Sequence, residues 1–110
     1  MNQRRVLRLV LSEAARERMS EILAWSLKNF GADAALRYET LIGQALDDLM
    51  DDPKRKGVRM LEGIPEHYRF YHLLNCKGRM SPPRVGRPRH FVVFTIVEQD
   101  LVIVDFLHDS

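Results

Sequence analysis

The stretch from Pro88 to His108 constrains the fold of this chain more than any other. Phe91 to Val97 and Leu101 to Leu107 are runs of mostly β-branched and aromatic residues, separated by Glu98-Gln99-Asp100. Two such runs around a short polar break predict an antiparallel hairpin. The first run is interrupted only by Thr95, which predicts an interior strand with both faces covered. Alternation in the second puts Leu101, Ile103, Asp105 and Leu107 on one face and Val102, Val104, Phe106 and His108 on the other. Asp105 breaks the pattern. A carboxylate among aliphatic side chains is costly unless paired, so an Arg partner or a place near the open end of the sheet is expected for it.

Upstream, Arg5 to Leu11 predicts a first strand with Leu7, Leu9 and Leu11 toward the core and Val6 and Arg8 away from it. Ser12 is the expected N-cap of a helix, with Glu13 and Glu17 where the helix dipole favours negative charge. Ala15, Met19, Ile22, Leu23, Ser26, Leu27 and Phe30 then recur at helical spacing. Trp25 falls outside that stripe as an edge-of-core aromatic, and Gly31 is expected to close the helix with left-handed backbone. Asp33 is the expected cap of a second helix, whose apolar face runs through Leu36, Tyr38, Leu41, Ile42, Ala45, Leu46, Leu49 and Met50 until Asp52-Pro53 ends it. Two amphipathic helices joined by two or three residues predict an antiparallel helical hairpin. Asp47, Asp48, Asp51 and Asp52 crowd its last turns against the dipole, and Lys54, Arg55 and Lys56 are the expected compensation.

Gly57 and Gly63 mark residues 53–65 as a loop, and His67 to Leu74 has strand composition. Asn75 to Arg89 holds three prolines, two glycines, five bases and no acid, which predicts a long connection. The order is strand, helix, helix, strand, strand, strand. It predicts an α+β fold, an antiparallel sheet packed against a helical hairpin, in a single domain over residues 1–110.

No apolar run is long enough to span a bilayer and no signal-peptide pattern opens the chain, so the cytoplasm is the expected compartment and no membrane contact is predicted. The single Cys76 forms no internal disulfide. Net charge is only +2, but it is segregated. Residues 12–52 carry nine acids against four bases, whereas residues 53–90 carry ten bases against Glu62 and Glu66. Such a positive region attracts nucleic acid or an acidic protein, or is simply a solvated loop surface.

The chemistry is restricted. His67 and His72 sit an odd number of strand positions apart, and Cys76 has no second Cys at ligand spacing, so neither a metal nor another cofactor is expected. Gly57, Gly63, Gly78 and Gly86 are scattered and form no phosphate loop. Cys76 lies in a basic, mobile-looking loop with nothing to orient a base, which argues against a nucleophile. A phosphodiester-cleaving site needs only acid/base groups and cations, and Arg59, Arg69, Arg89, His90 and His108 could supply these.

The leading strand ending Ser12-Glu13-Ala14-Ala15, the helix through Ile22, Trp25 and Phe30-Gly31, and the helix ending Leu49-Met50-Asp51-Asp52-Pro53 carry a resemblance. So, above all, do Arg89-His90-Phe91-Val92-Val93-Phe94 and Val102 to His108. Together they resemble the ParE/RelE toxin superfamily of type II toxin–antitoxin modules, specifically its ParE branch. The resemblance implies a toxin that inhibits DNA gyrase, blocks replication, and is held inactive by a cognate antitoxin through an acidic, partly disordered segment. It also implies contact with operator DNA only through the antitoxin, within a toxin–antitoxin hetero-oligomer. The residues expected to meet target or antitoxin are Trp25, Arg59, Arg69, Arg87, Arg89, His90 and His108. The alternative implied by the RelE branch is a ribosome-dependent mRNA interferase using Arg59, Arg69, Arg89, His90 and His108. A toxin-like scaffold that only binds its antitoxin is the third reading. The sequence departs from the family pattern in its longer connection from Asn75 to Arg89 and its shorter tail after His108.

Overall fold

A computed structural model describes residues 7–65 and 67–110 of the chain. Its elements run β1 (Arg8–Leu11), α1 (Glu13–Phe30), α2 (Ala32–Asp51), β2 (Arg69–His72), α3 (Leu74–Lys77), β3 (His90–Val97) and β4 (Asp100–His108). The four strands form one sheet in the order β1-β4-β3-β2. β3 pairs antiparallel with both β2 and β4, and β1 pairs parallel with β4. The expected hairpin is therefore the centre of the sheet, and the helical hairpin packs on one face of it. Arg5 and Val6, expected to open the first strand, lie outside the described residues.

The core face carries Tyr71, Val92, Phe94, Leu101, Ile103 and Phe106, all at most 1% exposed. Leu41, Ile42, Ala45 and Leu49 of α2 and Ala15 and Ile22 of α1 cover them. Leu101, Ile103 and Phe106 cannot share a face by strict alternation. The register explains it: Val93 pairs with Asp105 but Phe94 pairs with Ile103, so Val104 is an extra residue in β4. Such a bulge reverses the side-chain alternation beyond it. The face assignment expected from sequence therefore holds up to Ile103 and inverts at Phe106.

The groups the bulge leaves without ladder partners are satisfied locally. Ser12 Oγ donates to the Val104 carbonyl at 2.8 Å while accepting the Ala15 N–H at 3.0 Å, so one hydroxyl caps α1 and pins its start to the bulge. Asp105 accepts the Phe106 N–H at 2.7 Å and the Arg18 guanidinium at 3.1 Å. Arg18 is the partner that Asp105 was expected to need.

Several expectations for the helices are corrected. Gly31 alone joins α1 to α2, with φ 93° and ψ 174°, in place of a two- or three-residue turn. Asp33 lies within the first turn of α2 and does not cap it. Leu27, Phe30 and Leu36 are 55%, 67% and 61% exposed, so the apolar stripes are left uncovered around the Gly31 turn. On β1, Leu9 is 42% exposed, as befits an edge strand. Ile96 and Val97 are exposed where β3 runs past β2 and pairs with β4 alone, so β3 is fully buried only from Val92 to Thr95. β2 is shorter than the strand expected over His67 to Leu74, and His67 precedes it, though its carbonyl accepts the Thr95 hydroxyl at 2.9 Å.

Cys76 is also corrected. It lies in α3 and is fully buried in the core. Burial, aided by the Asp48 charge, pushes its thiol up to about 11, so it is a packing residue and not a nucleophile. Near it, Asp48 at the end of α2 is only 7% exposed and gathers four partners. Gln44 Nε2 donates to it at 2.9 Å, Tyr71 Oη at 3.3 Å, Arg55 stands 3.5 Å away, and Arg79 makes a close ion pair. The expected compensation of the acidic turn thus comes from Arg55, with Arg79 added from beyond α3.

Candidate functional site

The bulge in β4 sets up the site. By turning Phe106 onto the helix face it also sends His108, two residues on, to the same side. There His108 pairs across the sheet with His90, their rings edge to face at 5.2 Å. His90 leads β3, and its Nδ1 lies 2.7 Å from Tyr38 Oη of α2. The Tyr38 hydroxyl accepts the Arg89 N–H at 3.1 Å, which leaves its own proton for His90 Nδ1. When that proton goes to Nδ1, His90 is neutral and carries its own on Nε2. Burial, with the adjacent His108, lowers its pKa to about 4. Burial also raises that of Tyr38.

The strand end is closed by Asp109. It accepts from Arg89 Nε at 2.7 Å and lies 2.9 Å from His72 Nε2. The Arg89 hydrogen bond, then that of His72, hold its carboxyl down to about 2.

Between this strand end, α1, the start of α2 and the segment before β3 runs a half-open cleft of about 1020 Å³. Its interior is mostly carbon, from Ile22, Trp25, Phe30, Val85 and Phe106. Its rim is cationic, with Arg18, Arg37, Arg84, Arg87 and Arg89, and the only carboxylate lining it, Glu21, stands 3.5 Å from Arg18. Trp25 is 60% exposed and meets Phe30 edge-on at 5.5 Å. It was expected at the edge of the core; the structure places it in the cleft wall.

Five of the seven residues singled out from sequence, Trp25, Arg87, Arg89, His90 and His108, line this cleft. Arg59 and Arg69 do not. Arg69 pairs with Phe94, four strand positions from His90 and so about 13 Å along β3, and Arg59 bridges Phe70 on the far edge of β2. Sequence reasoning missed Tyr38, Arg37, Arg18 and Arg84 as parts of the site. Tyr38 was read as core because it falls on the apolar stripe of α2, and its polar tip was the one signal that it reaches a partner. Among the described residues, no cluster of His, Cys, Asp or Glu could hold a metal ion, and no helix is long and apolar enough to cross a membrane.

The low pKa of His90 predicts a pH dependence. The unfolded chain takes up this proton near 6.5 and the folded one only near 4. Stability is therefore greatest above pH 6.5, falls as the pH drops toward 4, and levels off below; the Asp109 contribution is lost only further down, toward 2. His90→Gln, which keeps an acceptor but does not titrate, is expected to flatten the slope between pH 6.5 and 4 in urea unfolding measured across that range. An unchanged slope would contradict a neutral, buried His90.

Residues 9–110 match the family model described as ParE toxin of type II toxin-antitoxin system, parDE. No curated protein sequence matches the chain. Among solved structures, the chain is similar to that of a chromosomal ParDE system from P. aeruginosa, with a TM-score of 0.74 at 14% identity over 97% of this chain and 100% of the other. It is also similar to a copper-bound mutant toxin from Helicobacter pylori, with a TM-score of 0.59 at 15% identity over 93% of each chain. The YoeB dimer from Staphylococcus aureus gives a TM-score of 0.56 at 14% identity over 91% and 93%. At these identities the structural likenesses speak to the fold.

Proposed function

Since the chain belongs to the ParE toxin family of type II toxin–antitoxin systems, we propose that it acts in the cytoplasm by inhibiting DNA gyrase and so blocking replication, and that a cognate antitoxin neutralises it. The observation that carries this reading over messenger RNA cleavage is the separation of the candidate acid/base set. Arg69 pairs with Phe94, four positions along β3 from His90, and Arg59 bridges Phe70 beyond β2, whereas Arg89, His90 and His108 line the cleft. Cleavage needs cations and proton-transfer groups converging on one phosphate. His90, moreover, has one ring nitrogen occupied by Tyr38 and stays neutral down to about pH 4, which makes it a poor proton donor at neutral pH. The cationic cleft suits an acidic antitoxin segment, and the likeness to a ParDE system supports such a partner. Operator DNA is then met only through the antitoxin in a hetero-oligomer.

Purified protein is expected to inhibit gyrase supercoiling of relaxed plasmid and to accumulate cleaved gyrase–DNA complexes, while leaving message on translating ribosomes intact. Folded protein that leaves supercoiling untouched over a wide concentration range would refute the gyrase target. Cut transcripts whose cleavage is lost in His108→Ala would favour the ribonuclease reading, for which the His90–His108 pair beside Arg89 is the one structural argument.

A further inference from the structure

The long segment between α3 and β3 is not a loose strap. Val85 and Met80 pack against the core, and Pro88 is buried. Lys77 Nζ donates to the Gly86 carbonyl at 2.5 Å, and Tyr38 Oη accepts the Arg89 N–H. Its backbone is thus held at several points, and it forms one wall of the cleft opposite α1. Among the described residues, the side chains of Arg84 and Arg87 make no hydrogen bond or ion pair, and the same holds for that of Arg37 across the cleft. Three guanidinium groups with unspent donors therefore stand around a carbon-lined cleft that leaves Trp25 and Phe30 exposed.

We propose that the segment from Arg84 to Arg87 is the selecting wall of the cleft: it reads carboxylates on a partner polypeptide that seats a large apolar side chain against Trp25. This rests on the reading that a partner polypeptide neutralises the chain, and it adds which residues choose that partner and by what chemistry. Charge complementarity sets the sign: Arg18 is met by Asp105 and Glu21 and Arg89 by Asp109, which leaves Arg37, Arg84 and Arg87 as the cations of the rim without a carboxylate among the described residues. The floor sets the class. A nucleic acid strand needs a continuous track of cations and flat faces on which bases stack. Here the aromatic pair meets edge-on, at 68° between ring planes, and the base of the cleft is hydrocarbon. An apolar anchor flanked by acids covers that hydrocarbon and meets the fork of each arginine.

The test uses the whole chain, whose single tryptophan is Trp25, so its fluorescence reports on the cleft directly. The probes are a short fluorescein-labelled peptide carrying leucine and phenylalanine flanked by glutamates, the same peptide with serine at the apolar positions, and an oligouridylate of equal length. The first peptide is expected to bind and shift Trp25 emission, and the serine peptide to bind far more weakly. The Arg84→Glu/Arg87→Glu variant is expected to lose about tenfold or more in affinity for the first peptide. The Lys54→Glu/Lys56→Glu variant, with the same charge change on exposed residues away from the cleft, is expected to bind normally. Equal losses in both variants would reduce the effect to net charge and overturn the proposal. So would tighter binding of the oligouridylate with a Trp25 response, or no binding of the acidic peptide. Gyrase assays on the same preparation separate the failures: supercoiling inhibited without peptide binding sinks this proposal alone, and peptide binding without inhibition sinks the gyrase target alone.

Discussion

Asp48→Ala is expected to lower the unfolding free energy by about 3 kcal/mol, the low end of what breaking a buried ion pair costs. The Asp48 carboxylate is 8% exposed, and its partners come from four places in the chain: Gln44 one turn back in α2, Arg55 in the loop after it, Tyr71 in β2, and Arg79 beyond α3. Removing it takes the acceptor from the buried Tyr71 hydroxyl, leaves it only Arg79, and uncouples the end of α2 from β2 and α3. The figure stays at the low end because Arg79 and Arg55 are 45% and 25% exposed and can turn to water once released. Asp48→Asn can still accept from Gln44 through its oxygen and donate to the Tyr71 hydroxyl through its amide, and is expected to fall between wild type and Asp48→Ala. Urea unfolding measures both. A change below about 1 kcal/mol for Asp48→Ala, the level of an exposed pair, would mean that the network does not bind these elements together.

The sheet and helical hairpin were legible because they rest on hydrophobic periodicity, which burial enforces. The order of the four strands and two long helices, the interior place of β3 and the Ser12 cap all follow from pattern alone. The bulge was not legible as such, yet it left a trace. Asp105 was the one residue that alternation could not place, and it proves to be the residue whose carboxylate satisfies the backbone beside the extra Val104. A local violation of pattern marked the irregularity that turns His108 into the cleft. Cys76 and Arg79 went wrong for the opposite reason. Their segment reads as a basic connection, and nothing in composition says that one turn of helix will fold back to bury a thiol and deliver a guanidinium to Asp48. Likewise, local spacing brought Arg59 and Arg69 into the candidate set, and only strand register could separate them from Arg89 and His90.

Phe94→Ala is expected to be the most damaging single truncation, at about 4 kcal/mol. Phe94 is fully buried in β3, the first strand of the central hairpin, on the face that α1 and α2 cover, and it pairs with Ile103 immediately before the extra residue of β4. Truncating a ring there loses its transfer free energy and leaves a cavity between rigid elements, which cannot close without shifting β4. Domains are typically stable by only about 5–15 kcal/mol, so most of the margin could go. Val97→Ala on the same strand is the internal control: Val97 is 54% exposed, and its truncation is expected to change stability by no more than about 0.5 kcal/mol. Trp25 emission in the native state is expected to remain that of wild type, because Trp25 stands in the cleft wall and not in the core cluster. If Phe94→Ala cost no more than Val97→Ala, the helical hairpin could not be packed on this face, and the cleft whose walls both layers supply would lose its basis.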